Sequence, residues 1–410
     1  MKTKQIVQPT SSTSAQSWQA APALAVVILH FGLFGCLSGV NGVLWAELLA
    51  VLQVGEGPFG TAQLTSTLVA TMILLRYAAL STWFGPKHLT IIGLVLAAVA
   101  MLILTTITTL WGFVASLALL GAGTSLLDGA MNQTAIDWEH ATRRPVMNFI
   151  HACFSGGAVL GSLSAGAGLG AGWSYGQVLV TVALIYGISA ALTLTVRFPP
   201  VTTPATTAEP GAWRPIVRNP TLRALMLICG LSIIVESVIF LWAVIYVRTE
   251  LAAPVVLGSV AFAVFNGAMF VGRLLNGPIV ARRGAGTSLL LSGAGLILGT
   301  GILIATNNVT IAIGALMLLG LAIAGIFPTV VAAAGSVLPG QSGALTGALM
   351  TLAYLCFMLA PPVIGWLAEW SSLRIAFIVV GLCGVGTVYY ARRLPKQAAA
   401  SAADGERHRA

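Results

Sequence analysis

The sequence predicts an all-α membrane protein in which twelve transmembrane helices form two six-helix bundles. Apolar residues make up 57% of the 410-residue chain and charged residues only 8%, a composition that excludes a water-soluble domain of this length. Long apolar runs recur along the chain, each with about the 20 residues that a helix needs to cross a bilayer. Lys and Arg concentrate in alternate gaps between these runs. The chain is therefore expected to cross a membrane repeatedly.

Twelve apolar runs follow one another, separated by polar residues or by Gly and Pro. They lie at about residues 22–50, 62–84, 88–107, 109–138, 146–171 and 175–197, and then at 220–248, 256–281, 286–305, 309–337, 343–368 and 372–391. The first run is longer than the apolar region of a secretory signal and is followed by further spans, so we expect it to be a retained helix.

The segments between and around these runs define the domains. Residues 21–197 are the predicted N-terminal bundle, and residues 220–394 the C-terminal bundle. Residues 198–219, rich in Pro and Thr, are predicted to form a cytoplasmic linker. The polar ends, residues 1–20 and 395–410, are predicted to be disordered and cytoplasmic.

The distribution of Lys and Arg predicts the orientation of the bundles. The basic set of gaps holds sixteen of the 20 such residues: Lys2, Lys4, Lys87, Arg143, Arg144, Arg197, Arg214, Arg218, Arg223, Arg282, Arg283, Arg392, Arg393, Lys396, Arg407 and Arg409. The other set holds only Arg248 and Arg374. Because Lys and Arg in short loops resist export, the basic set marks the cytoplasm. We expect a multi-pass protein of the cytoplasmic (inner) membrane with both termini inside.

Composition and motifs argue against several other classes of function. The net charge of +9 is spread over separate loops rather than gathered on one face with aromatics, so we expect no nucleic-acid partner. The five cysteines lie in apolar stretches without a CxxC pair, and the five histidines show no HExxH spacing, so neither metal nor enzyme chemistry is expected. A phosphate-binding GxxxxGK[ST] loop is absent from the sequence. No cofactor is expected.

The loop after the second helix repeats in the two halves. Ala78 leads through Thr82 to Gly85-Pro86-Lys87 in the first half, and Gly277 leads through Ala281-Arg282-Arg283 to Gly284 in the second. Both loops resemble the Gly-x-x-x-Asp-Arg-x-Gly-x-Arg/Lys loop of the major facilitator superfamily of transporters. The resemblance covers nearly the whole chain and implies that family's fold of two six-helix bundles.

Further segments resemble the same family. Gly325-Ile326-Phe327-Pro328-Thr329 and Pro361-Pro362-Val363-Ile364-Gly365 match features of its tenth and eleventh helices. The stretch from Asp128 to Gly161 is similar to a poorly characterised bacterial branch that is distantly similar to fucose permeases.

The aspartate of the loop motif, which in the family helps to lock the cytoplasmic gate, is replaced by Thr82 and Ala281. Glu139 with Arg143 and Arg144 is one hypothetical substitute; a solvated charged loop is the alternative. The predicted cytoplasmic gate also includes Asn148 and His151, which lie at the start of the fifth helix, and the arginines of the second loop, Arg282 and Arg283.

Four ionisable residues fall deep inside apolar runs: Arg76, Asp128, Glu236 and Arg273. A charge in the middle of a membrane helix costs roughly 3 kcal/mol, so each needs a partner or a function. Because burial disfavours a charged carboxylate, we predict Asp128 and Glu236 as proton-coupling sites. Arg76 and Arg273 are the predicted counter-charges or substrate ligands. Permanent ion pairs that only hold helices together are the alternative.

Polar and aromatic residues predict the substrate cavity. Thr124 and Asn132 lie four residues before and after Asp128, so the three share one helix face. Asn41, Trp45 and Trp242 combine hydrogen-bonding groups with flat apolar faces. The two tryptophans lie towards the outer helix ends, where interfacial tryptophans are also common.

Together these features predict a secondary active transporter that moves a small organic solute by alternating access and is coupled to protons. We expect it to be a monomer in the bilayer. The sequence leaves open the substrate and whether transport is uptake or export. A drug or metabolite exporter of the same fold, and a non-transporting sensor on a transporter scaffold, remain alternatives.

Overall fold

In the computed structural model, the described residues are 13–142, 144, 146–198, 218–337 and 342–394. They are helical, with no β-strand in any of these ranges. The helices are α1 Thr13–Leu52, α2 Glu56–Leu104, α3 Leu110–Thr142, α4 Met147–Gly170, α5 Tyr175–Thr195, α6 Pro220–Thr249, α7 Val255–Ala305, α8 Val309–Ile323, α9 Ile326–Val337, α10 Ser342–Trp370, α11 Leu373–Ala376 and α12 Ile378–Ala391.

Two of these helices, α2 and α7, are too long for a single span. They contain 49 and 51 residues, more than twice what a bilayer requires. Each is kinked at a glycine with left-handed φ, 72° at Gly85 and 81° at Gly284. Other residues are disfavoured in that conformation because of their Cβ atom. The backbone conformation at the kink therefore explains why the loop motif has a glycine there in both halves.

Ten helical stretches in the described part of the chain are long and apolar enough to cross a membrane. Counting α2 and α7 as two segments each, on either side of their kinks, gives twelve segments in two groups of six. This agrees with the predicted all-α fold of twelve transmembrane helices.

Local sequence explains several helix starts and breaks. Asn219 accepts hydrogen bonds from the first turn of α6, where Pro220 takes the first helical position, a favoured way to begin a helix. The predicted tenth span is interrupted between α8 and α9. Pro328 has no N–H to donate to the carbonyl of Ala324 four residues earlier, so the helix cannot continue unbroken there.

The chain ends differ in part from the predicted boundaries. Helix α1 begins at Thr13, inside the segment predicted to be disordered. No glycine or proline interrupts the sequence from there to Pro22, so the helix extends past the apolar run. The predicted linker, apart from residues 198, 218 and 219, and the predicted tail beyond residue 394 lie outside the described residues.

Within the N-terminal half, α1 and α4 pack with their backbones close together. A Cβ atom added at Gly157 would collide with the carbonyl oxygen of Gly32, and one at Gly161 with that of Cys36. Small residues allow the two backbones to approach closely. The resulting van der Waals packing holds membrane helices together, because no hydrophobic driving force acts between helices within the bilayer.

The two halves repeat one polar contact between helices. Tyr77 precedes Gly85 by eight residues and donates a 2.9 Å hydrogen bond to Oε1 of Gln133 in α3. Asn276 precedes Gly284 by the same spacing and donates a 2.9 Å bond to Oγ1 of Thr329 in α9. In each half, this contact ties the segment before the kink to the fourth span.

Candidate functional site

A cavity of about 370 Å³ lies between the two halves. Helices α1, α2, α3 and α4 contribute its wall on one side, and α6 and α10 contribute the other. The cavity therefore sits where a rocking motion of one half against the other would expose it alternately to the two faces of the membrane.

The polar lining comes mainly from the N-terminal half. Its members are Ser38 and Asn41 of α1, Gln63, Ser66 and Thr67 of α2, and Thr124 of α3. The Thr124 hydroxyl donates to the carbonyl of Leu120 within its own helix, at 2.8 Å. In contrast, Nε2 of Gln63 is buried and has no hydrogen-bond partner among the described residues. The sequence reasoning missed Gln63, which lies near the start of a span.

The apolar lining is rich in aromatic rings: Phe34, Trp45, Phe154, Phe240 and Phe357. The Trp45 ring packs edge-on against Phe59 and Phe113, with ring centroids 6.3 and 6.0 Å apart. Such edge-to-face packing fixes the ring, so the cavity presents rigid flat surfaces as well as hydrogen-bonding groups.

Glu236 is the one ionisable residue in the described cavity lining. It lies half-buried on α6, and no described cation comes within ion-pair distance of it. Arg273 of α7 is close enough for its charge to act on Glu236 and also on His151 of α4. Glu236 and Arg273 are therefore close enough for their charges to interact, although they do not form an ion pair.

Asp128 occupies a separate polar cluster. It lies one helical turn beyond Thr124 and does not line the cavity. Nδ2 of Asn132 donates to Oδ1 of Asp128 at 2.9 Å. Tyr77 of α2 and Tyr354 of α10 lie close enough to feel its charge.

Gln133 joins the same cluster and was also missed from the sequence. Its Oε1 accepts hydrogen bonds from Tyr77 at 2.9 Å and from Ser81 at 2.6 Å. The sequence feature that could have identified Gln133 is its position: it is an amide residue deep in an apolar helix, next to Asn132.

The other predicted site residues are placed differently. Arg76 and Arg273 are both exposed, and neither is in the described cavity lining. No described carboxylate lies within ion-pair distance of Arg76. Trp242 is fully buried, with its ring centroid 6.3 Å from that of Phe59. Neither Trp242 nor Asn132 lines the cavity, whereas Asn41, Trp45 and Thr124 do.

The predicted gate residues lie at the end of the bundle that carries the kinks and the exposed arginines, here called the basic end. Oε1 of Glu139 accepts hydrogen bonds from the backbone N–H groups of Val146 and Met147, at 2.5 and 2.9 Å. A carboxylate at a helix N-terminus is stabilising, so Glu139 caps α4, a contact that the sequence reasoning did not anticipate.

Of the remaining gate residues, Arg144, Arg282 and Arg283 are exposed. The His151 ring packs edge-on against Phe31 of α1 at 5.3 Å. Arg143 and the side chain of Asn148 lie outside the described residues.

Among the described residues, three polar contacts join the halves at the opposite end, here called the far end. The backbone N–H of Gly57 donates to a carboxylate oxygen of Glu369 at 3.2 Å, and Nε1 of Trp366 donates to Oγ1 of Thr61 at 3.0 Å. Glu47 of α1 forms an ion pair with Arg248 of α6. The halves are therefore tied together at the far end.

Comparisons with known proteins agree with this architecture. The family model of the Major Facilitator Superfamily matches residues 23–356. An uncharacterized transporter of Sinorhizobium fredii, y4wD, is 26% identical over 358 residues, covering 84% of this chain and 92% of that protein. The membrane protein MosC of Rhizobium meliloti is 24% identical over 367 residues, or 88% of each chain.

Solved structures share the fold at low sequence identity. The nucleoside transporter NupG superposes with a TM-score of 0.73 at 13% identity, covering 91% of this chain and 98% of NupG. A bacterial homologue of the lysosomal transporter Spinster, in an inward-facing and occupied conformation, gives 0.75 at 13% identity over 95% and 99%. The Escherichia coli fucose:proton symporter FucP gives 0.56 at 16% identity over 92% and 99%.

The expected resemblance to this family is thus confirmed by the match over most of the chain, by the relatives and by the fold. With its paired six-helix groups, its kinked second span in each half and a cavity between the halves, the chain belongs to the Major Facilitator Superfamily of membrane transporters.

Proposed function

We propose that this protein is a secondary active transporter that moves a small organic solute across the cytoplasmic membrane, coupled to protons. The observation that carries the proposal is the cavity between the halves, lined by Glu236 and tied shut on one side by the contacts at the far end. A single site that opens to one face at a time is the requirement for alternating access.

The orientation follows from the basic residues. With Lys and Arg in cytoplasmic loops, the basic end faces the cytoplasm and both termini lie inside. The contacts at the far end then close the outer side, so this arrangement corresponds to an inward-facing state. Opening to the outside requires the Glu47–Arg248 ion pair and the Glu369 and Trp366 contacts to break.

Glu236 is the proposed coupling carboxylate, with Arg273 as its counter-charge. An ionised Glu236 is attracted to Arg273, and a protonated one is not. Proton binding therefore changes the force between α6 and α7 beside the cavity. Asp128 is proposed as a second protonation site, which acts on the contact between α3 and α10 through Tyr354. We assign no coupling role to Arg76, because it neither lines the cavity nor lies within ion-pair distance of a described carboxylate.

Flux into proteoliposomes tests the proposal. Solutes that raise the melting temperature of the purified protein are selected, and their uptake is followed with an inward proton gradient and without one. We expect the gradient to drive accumulation above the external concentration. A solute that binds but does not cross the membrane would instead identify a sensor. Accumulation that occurs only with an outward proton gradient would identify an exporter.

A further inference from the structure

We propose that the cavity takes an uncharged solute that combines several oxygen atoms with a flat apolar face, and that Gln63 selects it by donating a hydrogen bond. This inference rests on the proposed function, because it names the solute class of the same cavity. Three observations carry it: the mixture of hydrogen-bonding groups and aromatic rings in the lining, the unpartnered Gln63 amide, and Glu236 as the one ionisable residue of the described lining.

The cavity lining mixes hydrogen-bonding groups with aromatic rings. Ser38 and Asn41, three residues apart on α1, face the cavity together with Gln63 of α2. Aromatic rings come from both halves: Phe34, Trp45 and Phe154 from the N-terminal half, and Phe240 and Phe357 from the C-terminal half. The cavity therefore suits a solute that combines several hydrogen-bonding groups with a flat apolar face.

Gln63 supplies the most specific of these groups. Its Nε2 is buried, carries two N–H donors and finds no acceptor within the described part of the chain. A buried donor without a partner is costly, and that cost is recovered when a ligand supplies an acceptor. A hydroxyl, ether or carbonyl oxygen meets this need, whereas a hydrocarbon or an ammonium group does not.

The charges around the cavity favour an uncharged solute. Glu236 is the one ionisable residue of the described lining, and Arg273, which is exposed, lies outside that lining. Once Glu236 has taken up the coupling proton, the described lining carries no charge, so the desolvation of an ionic solute would go uncompensated. Neutral glycosides with a flat ring combine the required features.

Equilibrium binding to the full-length protein in nanodiscs tests this inference. The probes are 4-nitrophenyl glucoside, galactoside and fucoside as neutral solutes, tetraphenylphosphonium as a cation without oxygen, and 4-nitrobenzoate as a flat anion. We expect at least one glycoside to bind with a Kd about tenfold or more below those of the two ions.

Substitution then assigns the role of Gln63. Gln63→Met keeps the length of the side chain and removes the donors, so we expect it to weaken glycoside binding by about tenfold. Gln177→Met, the same substitution at an exposed glutamine outside the cavity lining, is the control and should leave the Kd unchanged. Thermal unfolding of both variants checks that they are folded.

Three results would overturn the inference: tighter binding of either ion than of every glycoside, no binding of any glycoside, or an unchanged Kd in folded Gln63→Met. Binding is measured here without a gradient. A glycoside that binds but is not transported would therefore contradict the proposed function and leave this inference intact.

Discussion

Glu47 of α1 and Arg248 of α6 form an ion pair across the two halves of the protein, at the end of the bundle opposite the kinks at Gly85 and Gly284. Both side chains are about one quarter exposed, 26% and 27%. Ion pairs with this access to water contribute only about 0–1 kcal/mol. Such a pair can hold one conformation without trapping it, which suits a contact that the proposed transport cycle must break.

Replacing Glu47 is therefore expected to shift the conformational equilibrium. Glu47→Gln should raise the population open at the far end by up to about fivefold, the factor that corresponds to about 1 kcal/mol. Electron–electron distance measurements between spin labels at Gln53 and Ser371 would report the change as a larger long-distance fraction. Glu250→Gln is a matched control, because Glu250 pairs with Arg374 at the same end but within one half. An equal shift in both variants would contradict a gating role for the Glu47 pair.

The kink glycines make a prediction about stability. Gly85→Ala and Gly284→Ala should each lower the free energy of unfolding by about 1–2 kcal/mol, because alanine is strained at a left-handed φ. Gly314→Ala in α8 is the control, since a Cβ atom there meets open space in a helical backbone. Denaturation of the three variants in detergent measures the difference. A loss at Gly314 as large as that at the kinks would contradict the account.

Substitution of Glu139 distinguishes between two functions of its carboxylate, a helix cap and a charged latch. If its function is to accept hydrogen bonds from Val146 and Met147, Glu139→Gln keeps an accepting oxygen and should lower stability by only about half as much as loss of the cap. Glu139→Ala removes the acceptor and should cost about 1 kcal/mol. Thermal unfolding and the far-end distances are measured for both variants. A Gln variant that changes the conformational equilibrium as much as the Ala variant would favour a latch that depends on charge.

Much of the architecture is predictable because a bilayer constrains the chain so strongly. Every backbone N–H and C=O group of a helix in the hydrocarbon must form its hydrogen bond within that helix. The apolar runs of the sequence therefore mark the transmembrane spans almost directly. The glycines at 85 and 284 are predictable as loop residues from the repeated motif. The cost of burying a charge singles out Glu236, which lies in the cavity lining.

The direction in which a side chain points is harder to predict, because it depends on how helices pack. Arg76 and Glu236 have the same sequence signature, a charge deep in an apolar run, yet Arg76 is exposed and Glu236 is half-buried in the cavity lining. Gln63 and Glu369 were missed because polar residues near helix ends are common and need no function. Glu369 contacts Gly57 of the other half, and Gln63 lines the cavity between the halves. Both placements depend on how the helices pack.

Proton coupling through Glu236 is the central claim, and paired transport assays of Glu236→Gln test it most directly. Counterflow needs substrate binding and alternating access, whereas uphill uptake also needs protonation of the coupling group. We predict that Glu236→Gln retains counterflow and loses accumulation driven by an inward proton gradient, while Glu250→Gln retains both. Loss of both activities in Glu236→Gln, or of neither, would contradict the assignment.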